Sequence, residues 1–334
     1  MLEGNLPKLR TLTLFLHPSG GFHPLDFIEP ETSVYLAAPQ LATAKVIGWD
    51  SDLLPWRQLK KFSWSRYTLD GTELWHSALP EHLRLAVNLD ECEFDCVFAS
   101  SNPPASEEEL VSLPKLHTLT LHSIVYPTDV GQSADQVSEP ERLLEMFVMP
   151  VLTSLTLTGP IYQETALISC LEKSGCTLAS LSIPYAGRPE TRTIRILQHL
   201  PSLKCLTLTD ADTMTSDFLD HLTYKEEGST RAVACPALEE FGLCTSSTRR
   251  TSRPSLPTSK ILDMITSRRP AQSEGSDIAQ LQRLSISSAE LAMSLRQDGT
   301  LAGLEKDGLI VQFIRPPRST CSWKNSYELE QGLY

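Results

Sequence analysis

No apolar run in the chain approaches the roughly 20 residues that a membrane-spanning helix needs. Met1 to Arg10 lacks the basic-then-apolar pattern of a secretory signal. There is no Asn-x-Ser/Thr acceptor, since Asn102 is followed by Pro103. Basic residues are scarce: 29 Lys and Arg stand against 41 Asp and Glu, for a net charge of −12. That balance opposes sequence-independent nucleic-acid binding, which needs cations to displace counterions, and it opposes docking on an anionic membrane. The 8 cysteines are spread over more than 200 residues, too sparse for a disulfide-stapled secreted domain. Free thiols in the cytoplasm or nucleus are expected, with no nucleic-acid or membrane partner. Charged residues reach only 21%, but 41% are hydrophobic, so a large core is available and disorder is excluded.

Catalytic signatures are missing too. Gly20-Gly21 has no following Lys and helix to make a phosphate loop, and neither Gly-x-Ser-x-Gly nor His-Glu-x-x-His occurs. With no acid, base and nucleophile gathered together, the chain is expected not to be an enzyme, with no catalytic residue, no cofactor and no metal. Cys92-x-x-x-Cys96, beside Asp90, Glu91, Glu93 and Asp95, has a spacing that zinc allows. No second Cys/His pair lies at a finger-like distance, so ordinary thiols are the preferred reading. His117 and His122 lie on one strand pattern, five apart, and are expected on opposite faces. Trp49, Trp56, Trp64 and Trp75 make either a ligand cage or irregular packing, and packing is preferred.

What is present is a recurring phrase: Leu, two variable residues, an apolar residue, one variable, an apolar residue. It reads Leu9-Leu12-Leu14, Leu41-Ala44-Val46, Leu59-Phe62-Trp64, Leu116-Leu119-Leu121 and Leu152-Leu155-Leu157. It continues as Leu178-Leu181-Ile183, Leu203-Leu206-Leu208, Leu238-Phe241-Leu243 and Leu281-Leu284-Ile286. The last two apolar positions alternate as a half-buried strand requires. Proline precedes several of the phrases (Pro7, Pro114, Pro150, Pro201), which ends the preceding segment. Two further strands are expected off the pattern, over Leu83 to Leu89 and Leu309 to Phe313.

Helical patterns fall between the phrases. They cover Glu141 to Phe147, Glu164 to Lys173, Thr193 to Leu200, Ser216 to Leu222 and Lys260 to Ile265, with Thr165 and Ser216 as candidate caps or first-turn residues. One strand and one helix per unit predict an α/β fold: a right-handed leucine-rich-repeat solenoid, or horseshoe, with irregular repeats. Its parallel sheet would line the concave side and its helices the outside. Phrase spacings of 26 and 25 residues, from Leu152 and Leu178, lie in the usual 20–29 range. Others reach 35, 36 and 43, where the composition turns polar. The expected organisation is therefore a solenoid over 1–315, with polar insertions near 127–140, 225–234 and 245–277 and a tail over 316–334.

Residues between the apolar ones would face the concave surface. Those expected to bind a partner are Thr118, Thr120 and His122; Ser154, Thr156 and Thr158; Ser180 and Ser182; and Thr207 and Thr209. Tyr126, Tyr162 and Tyr185 follow their strands closely and would align along one rim, where a phenol gives contact area and a polar tip. Both groups also fit ordinary strand filling and loop packing. Between Thr245 and Pro270, Arg249, Arg250, Arg253, Lys260, Arg268 and Arg269 against Asp263 give a local +5, leaving −17 elsewhere. Its Ser/Thr/Arg/Pro-rich part reads as a flexible loop or as a phosphorylation-regulated patch.

Leu113-Pro114-Lys115-Leu116-His117-Thr118-Leu119-Thr120-Leu121 and Leu200-Pro201-Ser202-Leu203-Lys204-Cys205-Leu206-Thr207-Leu208 carry a resemblance. Cys176 to Ile183 and Gly308 to Phe313 share the style. Over roughly Leu6 to Ile314 the chain resembles the leucine-rich-repeat region of fungal F-box proteins, especially the large basidiomycete families. The resemblance implies a protein–protein interaction module like the substrate-recognition half of a ubiquitin-ligase receptor. The alternative is a leucine-rich-repeat scaffold with no ligase role, a truncated or decayed paralogue. The F-box itself is not seen before Leu6, so the cullin-ligase adaptor is an expected partner only if an F-box lies upstream. The main expected partner is an unidentified protein on the concave face or loop rim.

Overall fold

A computed structural model describes residues 8–15, 38–47, 54–65, 78–97, 110–124, 139–158, 164–185, 190–209, 211, 214–224, 233–245, 258–269, 278–297 and 299–314. Among them the fold is α/β, with 8 helices and a parallel sheet of 11 strands. None of the helices is long and apolar enough to cross a membrane. The chain divides into two compact units, Met1–Leu181 and Ser182–Tyr334.

The first unit contains β1 (Thr11–Phe15), β2 (Thr43–Ile47), β3 (Lys61–Ser65), α1 (Ala78–Leu85), β4 (Glu91–Val97), β5 (Val111–Ser112) and β6 (Thr118–Ile124). It continues with α2 (Glu139–Met146), β7 (Phe147–Val148), β8 (Ser154–Thr158) and α3 (Glu164–Ser174), and its boundary falls inside β9 (Ser180–Pro184). β5 and β7 form a separate parallel pair. The other strands run in the order β1-β2-β3-β4-β6-β8, every pairing parallel. Register aligns the phrases with one another. Leu12, Ala44, Phe62, Cys92, Leu119 and Leu155 form one row, and Leu14, Val46, Trp64, Phe94, Leu121 and Leu157 the next. From Ala44 to Leu155 and from Val46 to Leu157 these side chains are buried. Burial of this kind contributes roughly 25 cal/mol per Å² of apolar surface.

Strand entry is set the same way for five strands of this unit. The N–H groups of Leu41, Leu59, Leu89, Leu116 and Leu152 each bond the carbonyl three residues back, at 3.1–3.3 Å. The turn drops the leucine into the core, where its exposure is 0–1%. Leu89 belongs to this set, which corrects one expectation. The strand is not at Leu83 to Leu89; that stretch carries the end of α1 and a turn, and the strand follows as Glu91–Val97. Leu89-x-x-Cys92-x-Phe94 is itself the recurring phrase. Cysteine in the first apolar slot and acids between the apolar positions hid it.

The second unit contains α4 (Glu190–Gln198), β10 (Cys205–Thr209), α5 (Ser216–Leu222), β11 (Glu240–Leu243), α6 (Thr258–Ser267), β12 (Arg283–Ile286), α7 (Ala289–Gln297), α8 (Thr300–Lys306) and β13 (Ile310–Phe313). Strands β10-β11-β12-β13 pair in parallel. Leu206, Phe241 and Leu284, then Leu208, Leu243 and Ile286, form its buried rows. Helix α6 lies inside the stretch expected as an insertion over 245–277, and buries Ile261, Leu262, Met264 and Ile265. The helical spacing over Lys260 to Ile265 marks the middle of this helix in the sequence. The cap of α5 is Thr215, whose hydroxyl accepts from the Phe218 N–H, and Ser216 takes the first-turn place that the sequence also allowed it.

Candidate functional site

Alternation along each strand leaves one face of the sheet partly open. In the first unit its polar side chains stand in registered rows. Lys61, Glu91, Thr118 and Ser154 form the first. Lys45, Ser63, Glu93, Thr120 and Thr156 form the second. Ser65, Asp95, His122 and Thr158 form the third. The expected binding residues Thr118, Thr120, His122, Ser154, Thr156, Thr158 and Ser180 are all half-exposed, and those of β6 and β8 face each other pair by pair.

The third row is more than a hydroxyl surface. His122 Nδ1 lies 2.8 Å from Thr158 Oγ1, and Nε2 lies 3.1 Å from Glu93 Oε1. Ser63 Oγ donates to Glu93 Oε2 at 3.2 Å, and the Ser65 hydroxyl donates to Asp95 Oδ2. The hydrogen bond from His122 holds the Glu93 carboxyl below its ordinary range, against the opposing effect of burial. Asp95 is 9% exposed, and this burial raises its carboxyl although the Ser65 hydroxyl works the other way. Asp95 Oδ1 is shielded from solvent and has no hydrogen-bond partner among the described residues.

Sequence reasoning missed Glu93 and Asp95 as members of this face because it misplaced their strand. The signal was present. Once Leu89-x-x-Cys92-x-Phe94 is aligned with Leu116-x-x-Leu119-x-Leu121, Asp95 and His122 occupy the same slot. The Cys92-x-x-x-Cys96 pair is described at one of its two thiols only. The Cys92 thiol is buried and pushed well up by that burial, and the Cys96 side chain lies outside the described residues. Trp56 and Trp64 are core residues, packed edge-on against Phe62 and Phe94 respectively, while Trp49 and Trp75 lie outside the described residues.

In the second unit Ser182, Thr207 and Thr209 are half-exposed. Tyr185 departs from its expected place on a rim. It is 4% exposed, its ring packs edge-on against Phe218 at 5.2 Å, and its hydroxyl donates to Glu190 Oε1 at 3.2 Å. Burial, then the Glu190 charge, raise this phenol. Tyr126 and Tyr162 lie outside the described residues, as do Arg249, Arg250 and Arg253. Of the other cations in that basic stretch, Arg268 is fully buried and Lys260 pairs with Asp220 at 3.1 Å. Across β11 and β12, Glu240 and Arg283 are registered and bonded at 2.6 Å.

Comparison with known proteins gives no matching family model and no matching curated protein.

Proposed function

We propose that this chain is a leucine-rich-repeat protein-binding module whose open sheet face receives a polar segment of another protein. The observation that carries the reading is the β6–β8 register. It stacks Thr118 on Ser154, Thr120 on Thr156 and His122 on Thr158 as half-exposed pairs above a fully buried leucine row. Short hydroxyl side chains held on strands have little conformational entropy to lose when a partner docks. They also donate and accept, which suits an extended peptide or a polar loop. The solenoid reading, with right-handed units, rests on the recurring phrase and on the turn hydrogen bond that recurs before seven of the strands. The role as the recognition half of an F-box-type ligase rests on the resemblance described above; the scaffold without ligase function is the competing reading.

The test is affinity capture with the full chain from cells that express it, followed by mass spectrometry. The comparison is a variant carrying Thr118→Arg and Thr156→Arg. The expected result is a reproducible partner whose recovery falls at least tenfold in the variant, while the variant melts like the parent. Equal recovery from both proteins rejects the open face as the binding surface. Adaptor and cullin subunits among the captured proteins support the ligase reading, and a partner without them supports the scaffold.

A further inference from the structure

We infer that Glu93, Asp95 and His122 form a binding site for a single divalent first-row transition-metal ion on the open face of the first unit. Glu93 and Asp95 are two residues apart on β4, so both project to one face. His122 is registered beside Asp95 on β6. One donor atom from each lies within 4.8 Å of the other two. Nitrogen and oxygen donors bind such ions at about 2.0–2.2 Å, so donors on opposite sides of one ion stand about 4.4 Å apart. The 4.8 Å within which the three donors already lie is close to that span.

Each would-be ligand is backed by a hydroxyl from a neighbouring strand. Ser63 bonds Glu93, Ser65 bonds Asp95, and Thr158 bonds His122. The ion takes the place of the His122 Nε2–Glu93 hydrogen bond: the ring then donates from Nδ1 to Thr158 and turns its Nε2 lone pair to the metal. This outer support is what orients metal-ligating side chains. The independent sign of a missing ligand is Asp95. It is more than nine-tenths buried, its Oδ2 is taken by Ser65, and Oδ1 has no partner among the described residues. A buried carboxylate oxygen left without a donor is costly, and a cation between Asp95, Glu93 and His122 removes that cost.

Two carboxylates and one imidazole, with no thiolate, match zinc, cobalt, nickel or manganese and not the all-oxygen shell of calcium. Three protein ligands leave at least one coordination position for water.

The experiment is titration of the chelator-treated full chain with Co²⁺, followed by visible absorption. Cobalt reports its ligands, and a thiolate charge-transfer band marks capture by one of the cysteines. The expected result is one saturable ion per chain, without a thiolate band. Affinity should fall at least tenfold in His122→Ala and in Asp95→Asn, and remain unchanged in His117→Ala. Thr158→Val keeps all three ligands and should weaken binding by about tenfold, the usual scale for an outer-shell partner. It serves as the deciding variant if circular dichroism shows that a ligand substitution fails to fold. Absence of saturable binding at millimolar Co²⁺, a thiolate band, or affinity indifferent to His122→Ala and Thr158→Val overturns the site.

Discussion

Arg268 Nε donates to the Leu222 carbonyl at 2.7 Å, tying the start of one loop to the end of another helix 46 residues away. Leu222 ends α5, where the last carbonyls of a helix have no partner of their own. The same guanidinium donates from Nη1 to the Cys235 carbonyl at 3.0 Å and from Nη2 to the Ala234 carbonyl at 2.8 Å. Cys235 has φ of +52°, a left-handed conformation that costs about 1 kcal/mol or more in a non-glycine residue. Burial brings the guanidinium down to about 10, so it remains charged at neutral pH. An arginine counted as surface charge from sequence is thus an internal staple of the second unit.

Arg268→Leu should destabilise the protein by about 3 kcal/mol or more, because it leaves buried carbonyls without donors. Arg268→Lys should recover less than half of that, since one ammonium cannot reproduce a planar fork reaching three carbonyls. Urea unfolding of both variants measures this. A loss below about 1 kcal/mol in Arg268→Leu would show that water replaces the staple.

Gly242 sits opposite Thr207 in the β10–β11 register, and a Cβ added there would lie 2.8 Å from Thr207 Oγ1 and 3.1 Å from Cγ2. Threonine is stiff at χ1 and has little room to yield. Gly242→Ala should therefore cost about 1–3 kcal/mol. Adding Thr207→Ala removes both of those close atoms and should restore most of it. The double-mutant cycle reads the coupling, and additive effects would place the strain elsewhere.

On β4 the two faces should respond very unequally to alanine. Phe94 is fully buried, with its ring 6.0 Å from Phe62, 6.3 Å from Trp64 and 6.1 Å from Phe147. Phe94→Ala should cost about 3–5 kcal/mol. Glu91, exposed and paired with Lys61 at 2.7 Å, should lose less than about 1 kcal/mol on the same change. Comparable losses in thermal unfolding would contradict the alternation.

Alkaline pH should destabilise both units through buried thiols. Burial pushes Cys170 up to about 12 and Cys235 up to about 12, against an ordinary value of 9.0. These are acids with raised folded values. Their stabilisation is complete below pH 9 and is lost as pH climbs from 9 toward 12, because only the unfolded chain ionises there. Each thiol contributes a slope of up to about 1.4 kcal/mol per pH unit. Cys170→Ala and Cys235→Ala should each flatten the pH dependence of unfolding between 9 and 11. An unchanged slope in both counts against this account.

Much of the fold was legible because period-2 alternation after a turning leucine is a local signal. All nine phrases fall on parallel strands, and the five helical stretches coincide with α2 to α6. Helices α1, α7 and α8 were not read. The helical Ala78–Leu85 next to Leu89 was instead absorbed into an expected strand, since short apolar runs look alike in either state. Of the candidate face, the hydroxyl rows on β6 and β8 were visible in sequence. Glu93 and Asp95 were not, because a one-strand misplacement removes every side chain of that strand from the face to which it belongs.

The sequence by itself determined which side chains are apolar at strand spacing, and so which enter the core and which face outward. Tertiary structure alone decided what those outward residues meet. Register brings Asp95 beside His122 across 27 positions of chain, and packing takes Tyr185 and Arg268 out of solvent although nothing near them in sequence marks them as internal. The physical reason is that burial and pairing depend on neighbours supplied by distant strands and helices. Alternation is a property of each strand alone.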